Sequence, residues 1–446
     1  AMSRSLRSLW RASGRLSGGR FVALVASSTL ATTAVIGAAL GGAGDSALLA
    51  ALANLGVAGA PTQASPAAAG QAPPTAADAA LQAAAPAAPV APRPAVPARS
   101  NTPAAVLDRP HGPSSDAGSG PSQPPAWPYA GRVKHVFVVT LHSSGYDSAF
   151  GERSQMPYLA TTLRPKGALL SGYSLIDAAG LPNYLAMIGG QQPNDQTRAE
   201  CPRFNEFPAG AKPDRQGQVP GSGCVYPVEA ITLADQLNSA GLSWRAYVEG
   251  MADARGPRNC VHPGLNTDDT TQSESPSHEY VARHNPFVYF LSLLDLGACA
   301  TNDVPLEQLD VDLGKLATSP SYSFISSDLC RSGAEPTCAD GSQGGPGAAD
   351  EFLAELVPRI LDSAAYKRDG LLAIVFAEGG GPPADGGDSK RVGALLISPF
   401  ATPGATLAGD YDAYGLLRST EDLLGVSRRG PRSAASFAPA LVGDRD

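Results

Sequence analysis

Charge is nearly absent from one long stretch of this 446-residue chain. Between residues 46 and 127 only Asp78, Arg93, Arg99, Asp108, Arg109 and Asp116 carry it. Ala, Pro, Gly, Ser and Gln dominate instead, most densely at 82–98 (LQAAAPAAPVAPRPAVP). Such a segment cannot build a packed core and reads as an extended, semi-rigid linker. It leaves about 300 residues, from Gly131 onward, for one large domain.

Acidic residues are missing from the first 20 positions, which hold Arg4, Arg7, Arg11, Arg15 and Arg20. A run without charge follows, Phe21 to Leu40 (FVALVASSTLATTAVIGAAL). Its length suits a bilayer-spanning helix, and arginines on its amino side place the rest of the chain outside the cytoplasm. The alternative is a signal peptide cleaved among the small residues at 38–49. Either way the domain is expected to be exported, as a single-pass membrane protein or as a secreted one. The organisation read from the sequence is a basic region at 1–20, an anchor or signal segment at 21–44, a linker at 45–130, a domain at 131–430 and a tail at 431–446.

A basic surface is also lacking. The net charge is −8 with +5 in the first 20 residues, so the remainder carries −13. That argues against nucleic acid as a partner. The chain lacks a Cys-x-x-Cys pair and any His/Cys cluster, which disfavours a zinc site. All six cysteines, 201, 224, 260, 299, 330 and 338, fall in the domain. An even number in an exported domain points to disulfides. Of the 15 pairings open to six cysteines, the sequential one, 201–224, 260–299 and 330–338, is preferred because each bridge closes a local loop.

Two catalytic signatures are missing as well. There is no Gly-x-Ser-x-Gly elbow, and Ser143 and Ser144 beside His142 do not make a Ser–His pair, because adjacent residues after a strand point in different directions and a triad is assembled in space. The Gly-rich run 378–388 has no Lys-Ser/Thr of a phosphate-binding loop and reads as a surface loop in which Asp385 and Asp388 bind a cation weakly at most.

What is present is an alternation of short apolar runs with helical patterns. Strands are expected at His135–Leu141 (HVFVVTL), 243–248, 322–326, 371–376 and 392–398. Helices are expected at 181–188, 232–240, 349–365 (despite Pro358) and 411–424, and 156–170 reads as a helix leading into a strand. Mostly apolar strands alternating with helices imply an α/β domain: a doubly wound, mostly parallel sheet between helices. Ligands in such sheets sit beyond the carboxyl ends of the strands, here 141–147, 177–183, 327–338 and 377–388.

Several segments in order resemble the bacterial phosphoesterase family of acid phosphatases and phospholipases C, within the alkaline phosphatase superfamily. They are KHVFVVTL with GYDSAFG (134–151), PYLATTL (157–163), LPNYLAMIGG (181–190), TLADQLNSAGLSWRAYVEGM (232–251), ARHNPFVYF (282–290), YSFISSDLC (322–330), FLAELVPRILDSAAYKRDGLLAIVF (352–376) and YGLLRSTEDLLGV (414–426). The resemblance implies an alkaline phosphatase-like fold and hydrolysis of phosphate esters by a nucleophilic hydroxyl and metal ions. Phosphoryl transfer depends on positioning and charge neutralisation, so those groups matter.

Position by position, the family's equipment is replaced. Its Glu-Asn metal ligands after the first strand become His142-Ser143. Its hydroxyl nucleophile before Leu-Pro-Asn-Tyr becomes Gly180, which cannot form a phosphoryl intermediate. The Asn-Asp-x-His-Asp run after Leu-Cys becomes Arg331-Ser332-Gly333-Ala334-Glu335. An Asp-Glu pair becomes Ala377-Glu378, and Asp-His-Tyr-Ser becomes Asp412-Ala413-Tyr414-Gly415. Five regions change together, so a pseudoenzyme with no cofactor is expected. The remnants are His142, Ser143, Asn183 and Glu378. If a metal site has been rebuilt, its candidate ligands are His142, Asp177, Asp328 and Glu378. His135 reads as structural and His284 as a cap on the helix after it. Arg331 is the cation placed nearest the former active site. The partners expected are the membrane, through the N-terminal segment, and a cell-envelope protein or a phosphate-ester ligand.

Overall fold

The computed structural model describes residues 131–143, 145–253, 258–272, 279–379, 390–427 and 433–442, with the side chains of Ser143 and Val442 excepted. The basic region, the 21–44 segment, the linker, Ser144 and the loop carrying Asp385 and Asp388 lie outside the described residues, as do the first and last positions of the 431–446 tail. Among the described residues no helix is long and apolar enough to cross a membrane.

Eight strands form one sheet: β1 (His135–Ser143), β2 (Ala168–Leu170), β3 (Trp244–Val248), β4 (Asp303–Pro305), β5 (Tyr322–Ser326), β6 (Gly370–Gly379), β7 (Ala394–Ile397) and β8 (Thr406–Leu407), in the order β4-β3-β5-β1-β6-β7-β2-β8. β1 pairs in parallel with β5 and β6, and β3 with β4 and β5. β7 runs antiparallel to both β6 and β2. The expected mostly parallel α/β sheet is therefore what forms. Val136, Phe137, Val138 and Val139 of β1 are wholly buried, as a central strand covered on both faces requires.

The helices that matter for the site are α1 (Gly180–Gly189), α2 (Leu233–Ser239), α3 (Gly345–Asp362), α4 (Ala364–Asp369) and α5 (Ala413–Leu424). α1 packs on β6 and α5. It stops at Gly190, whose φ of 62° supplies a left-handed C-cap at no steric cost to a residue without Cβ. At Gly189 a Cβ would come within 2.5 Å of the Phe290 ring, so this face of α1 tolerates only glycine. α2 opens with a capping box between Thr232 and Asp235, and α5 opens with the Asp412 carboxylate accepting from the Gly415 N–H.

One expected element divides. The 349–365 pattern, read as a single helix, is α3 followed by α4. Ser363 is extended (φ −63°, ψ 149°) and its side chain accepts from the Tyr366 N–H, which starts a second helix. Hydrophobic periodicity runs through such a joint because both helices bury the same face. Pro358 is tolerated inside α3 because it lies on the exposed side, where the carbonyl freed by its missing N–H meets water.

Three disulfides, Cys201–Cys224, Cys260–Cys299 and Cys330–Cys338, join the cysteines in the sequential pairing. Each pins a loop between sheet elements.

Candidate functional site

The site lies beyond the carboxyl ends of β1 and β6. The register between these two strands shifts after Leu141↔Phe376, so that His142 stands opposite Glu378. Ala377 is the extra residue of a β-bulge, a device that re-aims side chains at the end of a strand. It brings His142 Nδ1 to 3.3 Å from Glu378 Oε2. The contact is an ion-pair distance without hydrogen-bond geometry, and both ring nitrogens of His142 lack a hydrogen-bond partner. The His142 side chain is 4% exposed and that of Glu378 36%. Burial outweighs the nearby Glu378 carboxylate and lowers the imidazole's pKa, with Arg283 pushing the same way. The ring is therefore neutral at physiological pH.

His284 is brought to the same place. It does not cap the following turn, whose start shows no side-chain cap bond. Its ring meets His142 edge-on at 4.7 Å and stacks on Tyr184 of α1 at 5.6 Å. Nδ1 lies 3.3 Å from the Ser327 carbonyl, and Nε2 has no hydrogen-bond partner. Burial, followed by His142 and Arg283, holds its pKa well below the ordinary value. The cap expected from its position gives way to a buried pair of neutral imidazoles.

α1 begins at Gly180, where the resemblance would place a hydroxyl. A Cβ built there would lie 2.9 Å from Glu378 Oε2, so the carboxylate occupies the space of the missing side chain. The backbone N–H groups of Gly180 and Leu181 donate to the two carboxylate oxygens of Glu200, at 2.6 and 3.1 Å. Burial, reinforced by Glu378, pushes the Glu200 carboxyl up to about 7, against the two N–H donors and Arg283 that pull it down. Nothing in the sequence marked Glu200: it belongs to no motif and stands 20 residues from the backbone N–H it binds. Arg283 was missed as well; its guanidinium donates to the Gln272 carbonyl, and its charge reaches His142, His284 and Glu200.

The other expected site residues are engaged elsewhere. Asn183, 1% exposed, accepts from the Ile176 N–H and donates to the carbonyls of Asp177 and Ala179, so it ties the preceding loop to α1. Asp177 accepts from the Ala179 N–H and pairs with Arg198 at 2.9 Å. Asp328 accepts from the Arg331 N–H, and its own N–H donates to Glu249. Arg331 does not face the crevice as a free cation: it bridges Glu249 and Glu355 and lies over the Phe352 ring. Burial pushes the Glu249 carboxyl up, with Asp328 adding to it.

The divalent metal that the resemblance implies does not fit these residues as arranged. Of His142, Asp177, Asp328 and Glu378, only His142 and Glu378 meet. Among the described residues, the groups dense enough to hold an ion are Cys260, Cys299 and Asp303, and Glu279, Cys330 and Cys338. In each the cysteines are joined in a disulfide and offer no thiolate. Asp177 drops out because it pairs with Arg198 from beyond α1, and Asp328 because it caps the Arg331 N–H on its own loop.

Residues 149–427 match the model of the Phosphoesterase family. A probable acid phosphatase of Kluyveromyces lactis is 24% identical over 65% of this chain and 57% of its own length. An acid phosphatase of Aspergillus fumigatus is 21% identical over 55% of this chain and 44% of its own length. The chain thus spans about half the length of the curated relatives it matches. A solved protein of the alkaline phosphatase superfamily from Vibrio parahaemolyticus superposes with a TM-score of 0.41 and 12% identity, over 70% of this chain and 71% of its own.

Proposed function

The chain belongs to the Phosphoesterase family, and from that premise we propose that it is a non-hydrolysing member whose role is binding or assembly at the cell envelope. The observation that carries this reading is the start of α1. A glycine stands where a hydroxyl is needed, Glu378 fills the space of the absent side chain, and Glu200 takes the two N–H groups that would face a phosphoryl group. A phosphoryl-transfer site needs positive charge and donors directed at the equatorial oxygens. Here two carboxylates meet that space, and the imidazoles behind them are neutral. Three disulfides suit an oxidising compartment, which accords with export by the 21–44 segment and with the 45–130 linker as a spacer from the membrane.

A second reading, a sensor that holds a phosphate ester without cleaving it, is favoured by Arg283, whose positive charge reaches the crevice. Hydrolysis of an aryl phosphate and of a phosphodiester by the full-length chain, with Mg²⁺, Mn²⁺, Ca²⁺ or Zn²⁺, tests both readings against a divergent metal-dependent phosphoesterase. No turnover above buffer is expected, either for the wild type or for Gly180→Ser. Glu378 can swing away to admit the serine, but the metal ligands are still missing. Metal-dependent turnover that Glu378→Ala abolishes would overturn the non-hydrolysing reading.

A further inference from the structure

Glu200 is held where it is by more than its two hydrogen bonds. Its φ is 59° and that of Cys201 is 50°, so two consecutive non-glycine residues adopt the left-handed region, at a cost of roughly 1 kcal/mol or more each. The Cys201–Cys224 disulfide fixes this turn, and Gln272 Nε2 donates to the carbonyls of both residues. A strained backbone that is pinned from two sides aims one carboxylate at the amino end of α1. Helix amino ends attract anions because their N–H groups are unsatisfied and the dipole is positive there.

A second observation points to a ligand in the same place. His142 is 3% exposed, yet neither ring nitrogen has a hydrogen-bond partner, and its Nδ1 faces the Glu378 carboxylate that abuts Gly180. Nε2 of the adjacent His284 is unpartnered too. Buried polar atoms left in this state cost stability, and three on two facing rings mark a crevice with room in its hydrogen bonding for a polar group.

We propose that Glu200 is a built-in ligand of this crevice: its carboxylate stands in for a phosphate group on the Gly180 and Leu181 N–H groups, and an external phosphate ester binds there only by displacing it. The proposal rests on the non-hydrolysing, phosphate-ester-binding reading of the site. It makes Glu200 the residue that sets the crevice's affinity for anions.

The test is calorimetric titration of the full-length chain with inorganic phosphate at one pH. The wild type, Glu200→Gln and Glu200→Ala are compared, and circular dichroism checks that each is folded. The expected result is at least tenfold tighter phosphate binding by Glu200→Ala than by the wild type. A smaller gain is expected for Glu200→Gln, whose amide oxygen still accepts one of the two N–H groups. In ¹⁵N spectra of either variant, phosphate should shift the Gly180 and Leu181 amides. Unchanged affinity in a folded Glu200→Ala overturns the proposal. Should that variant not fold, unchanged affinity and unshifted amides in the near-isosteric Glu200→Gln overturn it equally. Aryl phosphate turnover by the wild type, measured in parallel, would remove the non-hydrolysing reading while leaving the Glu200 result to stand or fall alone.

Discussion

β1 carries a histidine at each end, and each faces an acid at the corresponding end of β6. At the amino end, His135 Nδ1 meets Asp369 Oδ1 at 2.5 Å in a made hydrogen bond, with the side chains 12% and 9% exposed. At the carboxyl end, His142 Nδ1 stands 3.3 Å from Glu378 Oε2 without a hydrogen bond, and its own side chain is more deeply buried than that of His135. A histidine of β1 and an acid, from the last residue of α4 at one edge and from β6 at the other, are bonded at the first and left open at the second. The β-bulge makes the difference. It sets the register of the carboxyl end after the regular ladder has set that of the amino end. A histidine whose partner sits at the helix end beside the regular ladder acts as a staple, whereas one delivered by a bulge into a crevice keeps unused hydrogen-bonding capacity.

Replacing the staple gives the largest expected effect. His135→Ala leaves Asp369 with Arg368 at 3.4 Å as its remaining cation, and loss of a hydrogen bond to a buried charged group costs up to about 3 kcal/mol. The urea midpoint should fall accordingly, while phosphate binding at the other edge is unaffected. A cost below about 1 kcal/mol, the range of an exposed pair, would put the two edges on the same footing.

The pH dependence of stability sharpens the contrast at the crevice. Folding raises the Glu200 carboxyl from an ordinary 4.5 to about 7, so the folded state binds that proton more tightly than the unfolded one. The penalty for ionising it is absent below 4.5, grows between 4.5 and 7 and is complete above 7. At 1.4 kcal/mol per unit the complete loss is about 3.5 kcal/mol, of which about 2.5 kcal/mol falls between pH 5 and pH 8. Denaturation at pH 5 and pH 8 should show this loss in the wild type and a flatter profile in Glu200→Gln. A wild type that gains stability over that interval would contradict the carboxylate's burial.

The smallest effect is expected at the open histidine. His142→Leu removes a buried imidazole that makes no hydrogen bond, and replacing such a group with an apolar one of similar size is close to neutral, within about 1 kcal/mol. A loss as large as that of His135→Ala would mean that His142 is a staple as well.

Most of the architecture could be read from apolar patterning. The strands at 135–141, 322–326 and 371–376 were expected because buried parallel strands are continuously apolar, and α1, α2 and α5 because their apolar positions recur at helical spacing. The break at Ser363 escaped, since periodicity does not record a single extended residue between two helices. So did the short edge strands β4 and β8, which have too few residues to show alternation. At the site, comparing positions with the family located Gly180, His142 and Glu378. It placed Arg331 there as well, and the polar residues beyond the strand ends added Asp177 and Asp328, but the partners of all three draw them off. His284, read as a cap, and the unmarked Glu200 and Arg283 come from segments 20 to about 100 residues away in sequence, a distance across which no spacing rule operates.

The sequence by itself determined the class of sheet, favoured the sequential pairing of its cysteines and put a glycine at position 180, because each is a matter of local pattern or of a single position. Only the tertiary structure decided what fills the crevice at the amino end of α1. A one-residue bulge turned His142 toward Glu378, and a disulfide-pinned left-handed turn carried Glu200 onto the amino end of α1. Both depend on where separate loops meet in space, and that is fixed by the packing of the whole sheet.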